Sequence, residues 1–544
     1  LGENLPVKNP RFALSLAREI IVHIIRNIIP FRGKAREGGA DTENIRRIIW
    51  FYLRLNYAYL LGNNKITYFI RSTLRMLHLS ESRLGPSREL GMTLAGYASL
   101  CMAIPLFGRS RRYHEMALEL RRKLKDEWGM AQSLQFMGFG AQWSGDVKKG
   151  LEYNEDAHNR FMRIGDIWEM AMCQNGFSAG YYYLSDYEKS IQASMNWLDT
   201  SIRIRDSFGE STSMANLAWA NTELGNQDQA RQWAGKGLAL SESRNYMFEY
   251  CLNATYFGYL NTVTGNYHEA IQLLEKARRL DLSTDFLKAY TSILYPYLAD
   301  AYRLDYLSRR PHLARGVSRA FARKLKRACL LALKKTRPWK LNRPAALRSM
   351  AQYCALTGSY RRAERFFLKS IRDADATERR FELARSFLEY GEFLASRGLI
   401  EAAMSKWTTA NRIFVEINAR FFARKASDLL GIHGADPSRR TSIMERQRLL
   451  SIIRLSQDVS SILNINELLD VILSKAVEFT GARRGFLFLR DHVSGELRIA
   501  ATREIQQHDE DDVFSHSIVN EVYRNDRTVL TTNAASDERL LDYR

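Results

Sequence analysis

"LNTVTGNYHEAIQLLEKARRL", residues 260–280, reads as the end of one helix, a tight turn at Gly265-Asn266 and an amphipathic second helix. After the turn, apolar or small residues fall at Tyr267, Ala270, Ile271, Leu274, Ala277 and Leu280, a spacing near 3.6 that lines one face. A lone hairpin of such helices cannot bury that face, because isolated helices shorter than ~12–15 residues are marginal in water. Neighbouring hairpins must cover the stripe, so the pattern should recur.

It does recur. Gly145-Asp146-Val147, Ser185-Asp186-Tyr187, Gly225-Asn226-Gln227 and Gly265-Asn266-Tyr267 stand 40 residues apart, and five residues after each first position come Gly150, Ser190, Ala230 and Ala270. The pattern returns at Gly358 and Gly398, again 40 apart, with Ala363 and Ala403 in the small position. One period before Gly145 lies Pro105, followed by "MALEL" (116–120), which matches "KARRL" and "KGLAL". Self-similarity at a fixed period means stacked helical hairpins. Glycine or asparagine permits the left-handed turn, and the small residue lets paired helices approach to about 8–10 Å between axes. Tyr187, Tyr267, Tyr360 and Trp407 are expected as repeat core.

Over about residues 45–430 the chain resembles the tetratricopeptide repeat, most closely at "FLEYGEFLASRGLIEAAMSKWTTANRIF" (387–414). It differs from that family in its 40-residue period, where 34 is usual, and in mostly lacking the first-helix tryptophan. The longer period is similar to the repeat regions of large bacterial regulatory proteins, in which repeats follow an ATPase module. The resemblance implies an α-solenoid used for protein interaction, in a variant less often used as a tail-peptide clamp.

The bulk numbers agree with a mostly helical chain. Of 544 residues, 46% are hydrophobic and 11% aromatic, with 10 prolines, which excludes a disordered polymer. The chain starts at Leu1 and stops at "LLDYR", so it is expected to be a segment of a longer polypeptide. Five single cysteines (Cys101, Cys173, Cys251, Cys329, Cys354), without C-x-x-C or clustered histidine, point to a reducing, cytoplasmic setting and against a disulfide framework or structural zinc. "IIVHIIRNIIPF" (20–31) is too short to span a bilayer and carries His23 and Arg26. The uncharged run 91–108 holds Thr93, Ser99 and Pro105 and is read as a buried helix pair.

The repeat phase slips between Gly265 and Gly358, leaving room for one more unit plus an insertion around 306–350. From Tyr306 to Ala363 there are 16 Lys or Arg and no acid, a large share of the net charge of +20. In "SRAFARKLKRACLLALKK" (318–335), Phe321, Leu325, Ala328, Cys329 and Ala332 share one face. Arg319, Arg323, Lys326, Arg327 and Lys334 lie opposite, broken by Leu330. This candidate patch suits a solvated or intramolecular face docked on an acidic domain. An anionic membrane surface and nucleic acid are the alternatives, and no helix-turn-helix accompanies it.

After "GIHGADPSRR" (431–440) the repeats stop, and a linker and signalling helix occupy 431–463. Within it "TSIMERQRLLSIIRLSQDVSSIL" (441–463) carries Ile443, Leu450, Ile453 and Ile462, too short a stripe to define a coiled coil but one that could pair with a second copy. "NINELLDVILSKAVEFTGA" then opens with Asn464 and Glu467 at capping-box spacing. "RGFLFLRD" (484–491) and "LRIAATR" (497–503), joined by a turn at Gly495, read as a hairpin with Leu497, Ile499 and Ala501 alternating. A helix at 514–526 and a strand at 527–535 complete an α+β module. "LLDVILSKAVEFTGARRGFLFLRD", "GELRIAATR" and "SIVNEVYRNDRTVLTTNAASDERL" together resemble a GAF domain, over 464–544 and incomplete at its C-terminal end. The resemblance implies a small-molecule ligand between sheet and helices, of unknown identity. No cysteine follows Cys354, so covalent bilin attachment within this stretch is excluded. "HDEDD" (508–512) lacks the spacing of a calcium loop and is read as a solvated loop.

No Walker A, kinase, H-E-x-x-H or G-x-S-x-G motif occurs, so neither catalytic nor metal-binding residues are assigned. The expected organisation is an N-terminal helix and linker (1–44), the repeats (45–430), the linker helix (431–463) and the GAF-like module (464–544). The resemblance implies a non-catalytic regulatory segment of a cytoplasmic bacterial signalling protein. Upstream it would carry Ser/Thr-kinase-like and AAA-type ATPase regions, and its output domain would lie outside the segment. An assembly platform with an unliganded GAF fold is one alternative. The other is the regulatory part of an enzyme (a histidine kinase, a Ser/Thr kinase or a nucleotidyl cyclase) whose catalytic domain lies elsewhere.

Overall fold

The structure, a computed structural model, describes residues 9–28, 40–61, 66–244, 246–283, 288–309, 315–433, 484–490 and 497–504, with isolated positions at 469–470, 473, 519 and 523. The chain divides into two units, 1–434 and 435–544.

The first unit is helical throughout its described residues. It opens with α1 (Asn9–Ile28), α2 (Ala40–Leu61), α3 (Ile66–Arg83), α4 (Arg88–Ala103) and α5 (Phe107–Lys123). The regular stretch follows as α6 (Glu127–Ser144), α7 (Val147–Ile164), α8 (Ile167–Tyr183), α9 (Tyr187–Ile204), α10 (Ser207–Leu224), α11 (Gln227–Ser243), α12 (Met247–Val263) and α13 (Tyr267–Ser283). An irregular step comprises the single turn α14 (Lys288–Thr291), α15 (Leu294–Arg309), the long α16 (Arg315–Thr336) and α17 (Arg343–Leu356). The array closes with α18 (Tyr360–Asp375), α19 (Arg380–Ser396), α20 (Ile400–Glu416) and α21 (Arg420–His433). These are stacked antiparallel helical hairpins, a helical-repeat array. The helix α2 runs through the boundary drawn at residue 44, because Ile45, Ile48, Ile49 and Tyr52 form one buried stripe. The uncharged run at 91–108 divides into the buried α4 and the start of α5.

The underlying spacing is half the period counted in the sequence. Left-handed backbone occurs at Lys125, Gly145, Gly165, Ser185, Arg205 and Gly225, one every 20 residues, and again at Gly358, Glu378, Gly398 and Asn418. Each helix from α6 to α10 begins on the next residue, where Asp126, Asp146, Asp166, Asp186 and Asp206 accept the backbone N–H of Gly129, Lys149, Glu169, Lys189 and Gly209. Such caps satisfy donors that the first turn leaves free. From Gly265 to Gly358 the interval is 93 residues, against 80 for two forty-residue units, and the excess goes into α14, the long α16 and their connections.

The array coils back on itself. The Phe381 N–H donates to Ser185 Oγ at 3.2 Å, Lys148 Nζ donates to Glu378 at 2.9 Å, and Trp143 meets Trp339 edge to face at 6.3 Å. A Cβ on Gly145 would lie 3.4 Å from Thr377, and one on Gly225 3.4 Å from the Phe421 nitrogen, whereas around Gly265, Gly358 and Gly398 there is open space. This difference corrects the reading of the turn aromatics. Tyr187 is buried against Phe381, and Trp407 is buried in its own hairpin. Tyr360 is 41% exposed beneath Arg397, and Tyr267 is half-buried, beside turns whose glycines have no described atom within 4 Å of a Cβ.

In the second unit, β1 (Arg484–Arg490) and β2 (Leu497–Glu504) form an antiparallel hairpin. Its register shifts between Leu487 and Phe488, which pair with Ala501 and Ile499 and leave Ala500 as an extra residue. The shift breaks the expected alternation: Ile499 is exposed and Ala501 is buried. Leu469, Asp470, Leu473, Val519 and Tyr523 are helical. The helix expected at 441–463, "HDEDD" and the strand expected at 527–535 lie outside the described residues.

Candidate functional site

Repeat arrays commonly bind along their concave side; in this array α8, α10, α12 and α15 bury a series of aromatic side chains against one another. Inner helices stack their aromatic rings in series: Tyr182 on Trp219, Trp219 on Tyr256 with centroids 4.4 Å apart, and Tyr259 on Tyr297 at 4.1 Å. The indole N–H of Trp219 donates to Tyr297 Oη at 3.0 Å. Glu223 accepts the hydroxyls of Tyr182 and Tyr259 at 2.9 and 3.3 Å, and burial pushes its carboxyl up to about 8.

Beside this stack lies a buried ionic network on α15, α17 and α19. Arg348 Nη1 binds Glu382 at 2.5 Å, Arg385 binds Glu389 at 2.9 Å, and Arg303 sits 3.8 Å from Glu389. Asp300 accepts Ser349 Oγ at 2.9 Å, and Arg379 stacks over Tyr183 at 4.8 Å. Burial opposes ionisation of Glu382 and Glu389, but the surrounding guanidiniums outweigh it and hold both below the usual carboxylate range. Nothing in the sequence marked these residues, since charged positions on a helix ordinarily face water.

Of the repeat-defining residues, Gly145, Gly225, Gly265, Gly358 and Gly398 all take left-handed backbone. Ala270, Ala363 and Ala403 are fully buried. The candidate cationic residues stand together on α16. Arg319, Arg323, Lys326, Arg327 and Lys334 are exposed, and Leu325, Cys329 and Ala332 on the opposite side are buried. Among the described residues none of the five makes an ion pair. Elsewhere on the surface, cations are neutralised locally, as in Lys149–Glu152, Arg160–Asp156 and Arg203–Asp199. The cause is compositional: no acid lies between Tyr306 and Ala363.

Alongside this stripe runs a groove of about 660 Å³ that the sequence did not reveal. Its floor is α15, with Tyr295, Leu298 and Tyr302; one wall is α13, the other α16 with Arg323, Lys324 and Arg327. Lys324 Nζ sits 4.1 Å above the Tyr302 ring, and the Tyr302 hydroxyl donates to Glu275, which is also paired with Arg278. A second, smaller cavity of about 100 Å³ is walled by His114, which burial pushes down to about 3. Among the described residues no group of three His, Cys, Asp or Glu could hold a metal, and no helix is long and apolar enough to cross a membrane.

No protein-family model matches the chain, and no curated protein matches it in sequence. Among solved structures it is similar to a Rap protein complexed with competence and sporulation factor, at 12% identity and a TM-score of 0.44, covering 62% of this chain and 99% of that one. The Rap conjugation gene regulator of plasmid pLS20 in complex with the Phr* peptide matches at 11% and 0.45, covering 69% and 96%. The human IFIT1 dimer with m7Gppp-AAAA matches at 14% and 0.41, covering 88% and 93%. At these scores the likeness says nothing of ligands, and the helical-repeat assignment rests on the hairpins themselves.

Proposed function

We propose that this chain is the non-catalytic regulatory part of a cytoplasmic signal-transduction protein. The repeat unit is an interaction scaffold, and the second unit is a GAF-type sensor of a small molecule or partner that controls an output outside the segment. One observation carries the scaffold reading: the chain's own rings and ion pairs fill the interior between α8, α10, α12, α15, α17 and α19, while α16 holds five exposed cations that make no ion pair among the described residues. An array built this way offers its outer surface to partners. The sensor reading is supported by the β1–β2 hairpin at the strands of the GAF-like stretch. Ligand or partner binding would favour one packing of the 441–463 helix, a population shift transmitted to the output, with dimerisation through that helix.

The test is native mass spectrometry of the parent protein purified gently from its own cells. The expected result is a reproducible small-molecule mass that disappears when 435–544 is deleted, together with partner proteins retained by 1–434. Retained partners without any ligand mass would make the chain an assembly platform. Loss of all partners would overturn the scaffold reading.

A further inference from the structure

We propose that the groove between α13 and α16 is the docking site for an acidic amphipathic peptide segment of a partner protein. Its carboxylates would lie along the α16 stripe, and an aliphatic side chain would enter the groove. The inference rests on the scaffold reading and names the chemistry of the partner.

Charge complementarity carries the first half. Arg319, Arg323 and Arg327 recur every four residues, and Lys334 continues the line, so the stripe spans about 22 Å at the helical rise of 1.5 Å per residue. Like charges at this spacing repel one another along an isolated helix. Among the described residues none of these cations makes an ion pair, and the acid in the adjoining groove, Glu275, is engaged by Arg278 and Tyr302, so the stripe presents charge to an anionic partner. A partner helix with glutamates at the same spacing supplies counter-charges in register.

The groove decides what kind of anion. Its apolar surface is recessed between two helices, with Tyr295, Leu298 and Leu331 lining it and Ala320 exposed in its wall. A side chain can enter such a slot. A bilayer cannot, and among the described residues of α16 the large exposed apolar side chain is Leu330, too little for the broad apolar face that interfacial helices bury. Bases of single-stranded nucleic acid need open aromatic faces. Here Lys324 covers Tyr302, and Phe321 is stacked on Tyr306 at 4.8 Å.

The test uses the full chain and fluorescence anisotropy with a labelled synthetic helical peptide, glutamates at i, i+4 and leucines on the adjoining stripe. Expected are saturable binding and about a tenfold loss of affinity in each of three cases: leucines replaced by alanine, Arg323→Glu/Arg327→Glu, or Ala320→Trp plugging the groove. A peptide with lysine in place of glutamate should bind the charge-reversed variant. All these positions are exposed, and unchanged melting of the variants confirms that they fold. Equal binding of the leucine-free peptide, or no effect of Ala320→Trp, overturns the groove. Tighter binding of duplex DNA or phosphatidylserine vesicles than of the peptide at the same salt also overturns it. The two readings separate in the native experiment. If the charge-reversed variant retains all its partners, the groove fails and the scaffold stands. If the peptide binds but no partner is ever retained, the scaffold fails and the groove stands.

Discussion

Two stretches of the same array are held together by different means. From α6 to α10 every helix starts on an aspartate cap and every turn uses a left-handed residue at 20-residue spacing, so order is local and repeats itself. After the irregular step, Ser359, Arg379 and Leu399 stand at the same helix starts, and none makes a side-chain cap. There the helices are tied by the Arg348, Arg385, Glu382 and Glu389 network, reaching across α15, α17 and α19. A regular array needs only nearest-neighbour terms. Where thirteen extra residues break the phase, a directional network that is satisfied in one register alone can restore it, which is the best-attested role of buried ion pairs.

The sharpest way to break this comparison is Arg348→Ala. Arg348 is fully buried, and its removal takes from Glu382 its 2.5 Å partner, leaving it Arg379 at 3.8 Å, and leaves Glu389 to Arg385 and Arg303. The expected cost is about 3–5 kcal/mol, read from the urea midpoint of the chain. A cost below about 1 kcal/mol would mean that the second half, too, is held by local terms.

The counterpart in the regular stretch is Asp206→Ala. Asp206 accepts the N–H groups of Phe208 and Gly209 at 3.2 Å each, so its loss should cost about 1 kcal/mol. Hydrogen exchange should rise in the first turn of α10 and leave α17 and α19 unchanged. Exchange rising in both regions would show that the two halves are one cooperative unit.

The unequal legibility of the two stretches has the same origin. Gly145, Gly225, Gly265, Gly358 and Gly398 announce their turns because glycine is favoured at positive φ. The intervening turns at Lys125, Arg205 and Glu378 use residues that carry no such signal. Aspartate at 126, 146, 166, 186 and 206 would have revealed the 20-residue spacing. The closure of the array was not readable, since Ser185 and Phe381 meet across 196 residues without any periodic trace. The cationic stripe was legible because charge and helical period coincide on α16; the groove was not, because α13 and α15 supply two of its three sides. The hairpin at 484–504 was legible from its alternation, and its bulge was not.

Glu223→Gln sharpens the comparison through pH. Burial lifts this carboxyl from an ordinary 4.5 to about 8, so the unfolded chain ionises first as pH rises. Its contribution to stability is whole below about pH 4.5, declines from there to about pH 8 and stays lost above that. Glu382 is held low, so its contribution is whole above the ordinary carboxylate range and is lost as pH falls. The glutamine variant should therefore melt with wild type near pH 4.5 and several degrees higher than wild type by pH 8.5. A constant offset across the range would place the effect in packing around Tyr182 and Tyr259 rather than in charge.

The smallest effect belongs to the stripe. Arg323 is exposed and makes no ion pair among the described residues, so Arg323→Ala removes no favourable contact. It does remove a like charge standing four residues from both Arg319 and Arg327, a relief of about 0.2–0.5 kcal/mol per pair at low salt. The expected change is thus within about 0.5 kcal/mol, tilted toward stabilisation. Raising salt should erase that tilt, since screening within about 8 Å at physiological ionic strength covers neighbours on one helix. Calorimetry at two ionic strengths checks it. A clear loss of stability would mean that Arg323 is held by a contact within the chain, and the stripe would then be structural rather than a surface kept open for a partner.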